Sequence, residues 1–330
     1  MTTESAPDAW RPVASAEVLR LRASLKARAR AFFEATGALE VDTPILSSAA
    51  PTDPDLEPLR TTVASRPGTQ CFLQTSPEFA MKRLLAAGVG DCWQFARVFR
   101  DAERGRWHNP EFELLEWYRV DCDHHELMDE VEALVAALLQ SESRIAPAER
   151  RSYADAFREY AGVDPLEDDT EALQDAAARA RLEPVAGLAD DDRDGWLDRL
   201  LTGVVAPAFP TDRPTFLYDW PESQAALARI DERDPRVAHR FELYWGPLEL
   251  ANGFHELGMA MEQRARFVED NARRRSRGQD ELPLDERLLA ALEAGFPDCA
   301  GVALGFDRVV MVAAGAGRID DVLAFPFERS

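Results

Sequence analysis

Between Ser15 and Gly37, apolar residues recur at Val18, Leu21, Leu25, Ala29 and Phe32. This is the three-and-four spacing of one helix face, and the closing glycine supplies a left-handed stop. The pattern predicts a long amphipathic helix. The ALEVDTPIL stretch that follows reads as short and extended, with Pro44 stopping any helix and fitting an edge or interface strand. Pro51 to Gly68 has no period and reads as an irregular loop. CFLQT, from Cys71, reads as a strand. Ser76, Pro77 and Glu78 then combine a capping hydroxyl, a proline at the first helical position and an acid in the first turn, so a helix is predicted to about Gly88.

Two strand-like runs, CWQFARVFR and EFELLEWYRVDC, flank the polar loop DAERGRWHNP and predict an antiparallel hairpin. Helical spacing returns from His124 to about Gln140. The segment from Asp164 to Asp198 is acidic, Ala-rich and free of strand signals, and is read as part of a helical insertion at about 150–213 with a solvated face. Beyond Thr215, FLYDW, FELYW and LELAN read as strands and Met259 to Arg277 as a helix. GVALGFDRVVMVAAG passes from a strand into a helix. Consecutive strands close enough for hairpins favour an α+β fold, an antiparallel β-sheet flanked by helices, over a doubly wound parallel sheet. A single domain spanning 1–330 is expected.

The chain has 330 residues, and its 38 basic and 60 acidic side chains leave a net charge of −22, which opposes general nucleic-acid binding. Only Lys26 and Lys82 are lysines, so guanidinium groups are the abundant cations for gripping phosphate or carboxylate. No run approaches the roughly 18 apolar residues of a membrane span, and the first fifteen residues lack a signal-peptide pattern. A cytoplasmic protein without membrane association is expected. Cys71, Cys92, Cys122 and Cys299 form no CxxC pair and are read as buried free thiols, so no structural metal is expected.

Phosphate-binding GxxxxGK[ST] and GxGxxG motifs are absent, His255 does not open an HExxH zinc motif, and no GxSxG occurs. The chain has three asparagines, and two of them, Asn109 and Asn252, fall in the densest clusters of charged and aromatic residues. In the first cluster Arg100 ends a strand, His108 and Asn109 lie in the loop, and strand alternation puts Phe112, Leu114, Glu116 and Tyr118 on one face. An aromatic surface beside a carboxylate suits a planar base next to a cation; a salt-bridged hairpin is the structural alternative. The second cluster carries Glu242, Glu249, Asn252 and Glu256. Two carboxylates on neighbouring strands suit Mg²⁺ together with substrate phosphates, or are simply surface acids. The third, GVALGFDR, sets Gly301 and Gly305 where backbone approaches a ligand and Arg308 in a first helical turn, or forms a tight packing turn.

Together, FFEATGALEVDTPIL, FR with its loop and HNPEFELLEWY, and GVALGFDR resemble the three motifs of class II aminoacyl-tRNA synthetases of the lysyl type. TSPEFAMKRLLAAG, HNPEFELLEWYR, LELANGFHEL and PDCAGVALGFDR are most similar to the elongation factor P β-lysine ligases, a family of freestanding lysyl-tRNA synthetase paralogues. The resemblance covers about residues 15–125 and 215–325. It implies a class II catalytic domain without the anticodon-binding OB-fold, for which the position of the first motif leaves no room. It also implies a homodimer through that motif, and activation of (R)-β-lysine by ATP and Mg²⁺ for transfer to a lysine of translation elongation factor P, without tRNA.

By the same resemblance, Arg100 and Arg308 are catalytic, with Arg100 on the α-phosphate and Phe112 and Arg308 enclosing adenine. Asp101, Ala102, His108, Asn109, Glu242, Leu243, Gly301 and Gly305 complete the ATP site. Ser76, Pro77, Glu78, Glu116, Tyr118, Glu249, Asn252, Glu256 and Ala303 form the amino-acid site, and Glu242 and Glu249 hold the metal.

Two positions depart from the pattern. Ala102 stands where the second motif carries a glutamate, so Asp101 or Glu103 replaces it or adenine selectivity is weaker. Ala303 replaces a glycine, and with Ser76 is expected to reshape the amino-acid pocket toward β-lysine. Activation of α-lysine for another acceptor and a non-catalytic paralogue are the rival readings. The arginines at 264, 266, 273, 274, 275 and 277 form either a solvated face or a dock for an acidic acceptor.

Overall fold

The predicted first helix forms as α1 (Ala16–Thr36), capped by the Ser15 hydroxyl on the Val18 N–H and closed by Gly37 at φ 76°. Its fully buried residues are Leu25, Ala29 and Phe33. The computed structural model describes residues 10–65, 67–139, 145–185 and 187–330. Gln140, the expected end of the third helix, lies outside the described residues.

The main sheet has eight strands in the order β1 (Leu39–Glu40), β5 (Cys92–Phe99), β6 (Glu111–Val120), β11 (Cys299–Gly305), β10 (Leu248–His255), β9 (Val237–Trp245), β8 (Pro214–Pro221) and β7 (Glu149–Ser152). Pairing is antiparallel throughout except at the two edges, β1 with β5 and β7 with β8. The fold is α+β, as expected. A small second sheet joins β2 (Leu46–Ser47), β4 (Gln70–Leu73) and β3 (Arg60–Thr62). β3 lies inside the segment expected to be loop. β7 was also not anticipated: its ERRS sequence has no apolar alternation, because an edge strand presents one side to water.

One face of the sheet carries the main core. Leu115, Trp117, Phe241, Leu243, Ala251 and Val302 pack there against α1, α3 (His124–Leu139) and α9 (Phe306–Ala314). The other face is open and bounded by α2 (Glu78–Ala86), α7 (Ala260–Ser276) and the segment between β7 and β8. α2 begins at Glu78 rather than Pro77, and Ser76 Oγ accepts the Glu78 N–H at 3.0 Å. α8 (Glu286–Gly295), which no sequence signal marked, packs against α2 and α7.

The expected helical insertion contains α4 (Tyr153–Tyr160), α5 (Thr170–Arg179) and α6 (Arg193–Leu200). Its apolar residues Tyr153, Phe157, Leu173, Leu197 and Phe209 form a second core with Leu217, Trp220 and Tyr244 of the sheet. Three of its acids, Asp192, Asp194 and Asp198, line the open side of the sheet. The arginines of α7 are engaged within the chain. Arg264, Arg266, Arg273, Arg275 and Arg277 pair with Glu286, Glu262, Glu269, Glu281 and Asp55. Arg274 is fully buried on Glu57 and the Asp53 and Asp280 carbonyls. This favours an ion-paired structural face over an acid-docking one. All four cysteines are free, but Cys122 is half-buried rather than buried.

A buried ionic clamp ties the first helix to the other two motifs. Arg22 of α1 bridges Glu113 of β6 and Asp307 of α9, Lys26 also meets Glu113, and Asp307 accepts the Glu113 N–H at 2.7 Å. Removing one partner of such a pair leaves an uncompensated buried charge, which costs about 3–5 kcal/mol. Arg22→Ala is therefore expected to lower unfolding stability by about that amount in urea denaturation. An unchanged midpoint would show the clamp to be dispensable.

Candidate active site

Strand register places Glu242 opposite Asn252, Asn252 opposite Ala303, and Ala303 opposite Glu116. Residues paired in this way share a face, so four strands present one polar row. The row floors a cavity of about 1850 Å³ on the open side of the sheet. Ser76, Glu78, Arg100, His108, Asn109, Phe112, Tyr118, Glu249, Glu256, Gly301, Gly305 and Arg308 line the same cavity. Thus most residues singled out in the sequence come together, although they derive from four strands, two helices or their leading turns, and the loop between β5 and β6. Pro77, Asp101, Ala102 and Leu243 do not line it. Leu243 points to the opposite face, into the main core, because it follows Glu242 by one strand residue.

At one end the cavity is strongly acidic. Glu116 is 1% exposed and accepts hydrogen bonds from Ser76 Oγ and Tyr118 Oη, each at 2.8 Å. Glu256, also 1% exposed, pairs with Lys82 Nζ at 2.6 Å, and Lys82 reaches Glu78 at 2.6 Å. Two carboxylates therefore hold one ammonium, while the neighbouring Glu116 rests on two hydroxyls. Burial, reinforced by Glu78, pushes the Glu116 pKa up to about 8. Burial also pushes Glu256 up to about 7, against the pull of Lys82. Burial disfavours the charged form of Lys82 too, but Glu256 and Glu78 outweigh it and hold the ammonium charged. Lys82 was not among the residues expected here, although its i,i+4 spacing from Glu78 on a predicted helix was a usable signal. Gly301 is required at this end. A Cβ there would lie 2.2 Å from Tyr118 Cε1 and 2.5 Å from Glu256 Oε1.

At the other end guanidinium groups gather. Arg308 donates to the Glu249 carbonyl at 2.8 Å, meets the Glu249 carboxylate at 3.2 Å, and lies 2.9 Å from His108 Nε2. Arginine can only donate, so His108 accepts through Nε2 and is neutral. Burial, followed by the Arg308 charge, moves its pKa below the ordinary histidine value. Arg100 stands over the Phe112 ring, 5.1 Å from its centroid, and meets Glu103 at 3.4 Å. Glu103 lines the cavity, whereas the Asp101 carboxylate turns back to accept the Ala102 N–H at 2.8 Å. Of the two acids beside Ala102, Glu103 is the one placed to face a ligand. Asn109 acts first as a clamp. It donates to the Glu111 carbonyl and accepts the Phe327 N–H, tying the hairpin loop to the C-terminal segment.

Glu242 accepts from Arg240 at 2.6 Å and from the Tyr244 hydroxyl, while Arg240 lies 3.9 Å over the Trp220 ring. Arg240 and Tyr244, two residues either side of Glu242 on β9, were missed although strand alternation was a usable signal for both. Burial and the nearby Glu249 carboxylate raise the Glu242 pKa to about 7. Two hard oxygen donors that repel one another fit a divalent cation, which would relieve that repulsion.

The cavity joins an acidic pocket to an arginine-lined one across an antiparallel sheet. A family model described as tRNA synthetases class II (D, K and N) matches residues 7–329. Curated relatives named elongation factor P–(R)-β-lysine ligase include one from Vibrio cholerae, 49% identical over 97% of this chain and 98% of the relative. Others come from Klebsiella pneumoniae, at 48%, and Salmonella arizonae, at 47%, each over 97% of this chain and 98% of the relative. The chain belongs to the class II tRNA synthetase family, in the branch whose curated members are the elongation factor P–(R)-β-lysine ligases.

Proposed function

We propose that this chain activates (R)-β-lysine with ATP and transfers the β-lysyl group to a lysine side chain of elongation factor P, in the cytoplasm and without tRNA. The observation that carries this reading is the pocket in which Glu78, Glu116 and Glu256 gather: Lys82 pairs with Glu78 and Glu256, and Glu116 rests on the Ser76 and Tyr118 hydroxyls. A substrate with two ammonium groups supplies the charge that pocket lacks, and the relatives' name specifies such a substrate.

In the first step a carboxylate oxygen of the amino acid attacks the α-phosphorus of ATP. The bond to the bridging oxygen breaks and pyrophosphate leaves. In the second, the acceptor amine attacks the acyl carbon, AMP departs, and the amine proton passes to solvent. The protein's part is placement and charge stabilisation. Arg100 holds the α-phosphate. Phe112 and Arg308 enclose adenine, and Glu103 faces its amino group in place of the glutamate absent at Ala102. Neutral His108 steadies Arg308, and the small Gly305 lets the chain pass close to the nucleotide. Glu242 and Glu249 would hold Mg²⁺, which when bound neutralises charge on the phosphates.

Ala303 stands between Asn252 and Glu116 in the polar row, so its methyl group occupies the floor where the amino acid lies. Pyrophosphate exchange into ATP, with Mg²⁺ and no tRNA, tests the function. Exchange is expected to depend on (R)-β-lysine and to exceed that with α-lysine, and Ala303→Gly is expected to shift the preference toward α-lysine. No exchange with any amino acid overturns the activity; higher exchange with α-lysine overturns the substrate assignment. An unchanged preference in the variant removes Ala303 as a selector.

The same proposal includes a homodimer. β1 and β2 are edge strands, and Leu39, Ile45 and Leu46 in this first-motif segment are 55%, 42% and 42% exposed. Sedimentation at micromolar concentration is expected to give the dimer, with Leu46→Asp shifting it to monomer. A wild-type chain that sediments as a monomer excludes it.

A further inference from the structure

On the sheet face away from the cavity, three histidines meet from three elements. His124 opens α3, His239 lies on β9, and His255 ends β10. One ring nitrogen of each lies within 4.8 Å of those of the other two. The rings are nearly parallel, with centroids 4.6 Å apart for His124 and His239 and 5.6 Å for His239 and His255.

Their hydrogen bonding is incomplete in a consistent way. His239 Nε2 is 3.0 Å from Asp231, and His255 Nε2 is 2.8 Å from Asp298. A carboxylate accepts, so it fixes the proton on Nε2 and leaves a lone pair on Nδ1. Nδ1 of all three rings is buried and has no hydrogen-bond partner among the described residues. His124 is 3% exposed, and neither of its nitrogens is hydrogen bonded. A buried polar atom left unpaired costs about 1–3 kcal/mol, so three in one place call for a common partner.

We infer that His124, His239 and His255 form a binding site for a divalent transition-metal ion of the imidazole-preferring class, with Zn²⁺ its best fit. A histidine whose second nitrogen donates to a carboxylate is the arrangement that orients metal ligands and strengthens them. Two of the three rings have it. Asp219 offers an oxygen at the edge of the cluster for the fourth position once the site closes. It sits at the β8 irregularity with φ 58°, where a bulge re-aims the side chain, and its carboxylate lies 3.7 Å from His124 Nε2. Three imidazoles and one carboxylate are a zinc-type donor set. Zinc bonds of about 2.0–2.1 Å require the nitrogens to be about 3.3 Å apart, so the rings close together and tilt on binding.

Other charged or titratable groups beside the cluster are Arg229, 2.7 Å from Asp298, His125, whose ring centroid lies 4.1 Å from that of His124, and Asp123 at the start of α3. Burial moves the pKa values of His124 and His255 down, which keeps those rings in the neutral form that ligates. The ion would fasten β8, β9, β10 and the start of α3 at one point. His255 directly precedes Glu256, so the site lies behind the wall of the acidic pocket.

The test is calorimetric titration of Zn²⁺ into the chelator-stripped full chain, with excess Mg²⁺ present to occupy the Glu242 and Glu249 oxygens. Visible absorption of Co²⁺ added to the same protein is the second readout. One Zn²⁺ per chain and the d–d bands of a four-coordinate Co²⁺ site are expected. His239→Gln should abolish both, and Asp298→Asn should weaken Zn²⁺ binding about 10–100-fold. Should His239→Gln fail to fold, Asp298→Asn decides, since that side chain is 55% exposed. Absence of stoichiometric binding overturns the site. Binding that Asp298→Asn leaves unchanged overturns it equally, because the ion then sits elsewhere.

Discussion

Gathering Glu78, Glu116 and Glu256 in one buried pocket, where Lys82 pairs with Glu78 and Glu256 and Glu116 rests on two hydroxyls, is the constraint that the remaining geometry serves. Isolated, desolvated carboxylates are strongly unfavourable, and such groups neutralise by taking up protons when no cation is supplied. Glu116, raised to about 8 and held by hydroxyls, is in that condition; Glu256, raised to about 7 by burial, is partly relieved by Lys82. The pocket keeps them from complete mispairing through Ser76, Tyr118 and Lys82, but leaves a deficit of positive charge. An incoming diammonium substrate removes the deficit. Selectivity thus arises from what the empty pocket lacks as much as from the contacts it offers.

Keeping such a pocket intact requires rigid surroundings. Cross-strand register fixes Glu242, Asn252, Ala303 and Glu116 in one row, and a packed core on the reverse face holds the four strands flat against α1, α3 and α9. The Arg22 clamp binds the first helix to the strand and helix that carry Phe112 and Arg308. Small residues matter at one point above others. Gly301 gives Tyr118 and Glu256 the space that any side chain would take. The segment between β7 and β8 adds a wall in which Asp194 and Asp198 face the cavity, and its second core anchors it to Trp220 and Tyr244.

Much of this was legible in the chain itself. Period-3.6 spacing marks α1, and strand alternation alone puts Phe112, Glu116 and Tyr118 on one face. Local patterns failed where stability is tertiary. The charged edge strand β7 is held by pairing with β8, β3 by pairing with β4, and α8 by packing on α2 and α7. Leu243 was placed at the ATP site by the resemblance, and strand alternation sends its side chain to the core, which leaves its backbone as the part that can face the cavity side. Lys82, Arg240 and Tyr244 gain their roles from partners on other elements or across a strand face. The histidine cluster was invisible for the same reason. Reading metal potential from cysteine spacing passes over three histidines brought together only by the sheet.

The charge deficit is tested most directly by the protons exchanged when β-lysine binds. Before binding, a carboxyl with a pKa of about 8 is mainly protonated at neutral pH; an ammonium beside it lowers that pKa and drives the proton off. Calorimetry of (R)-β-lysine binding at about pH 7, repeated in buffers of different ionisation enthalpy, reads this release. About one proton released per substrate bound in the wild-type chain, and much less in Glu116→Gln, is the expected result. A binding enthalpy independent of buffer, or proton release undiminished in the variant, would contradict a pocket built on a shortage of positive charge.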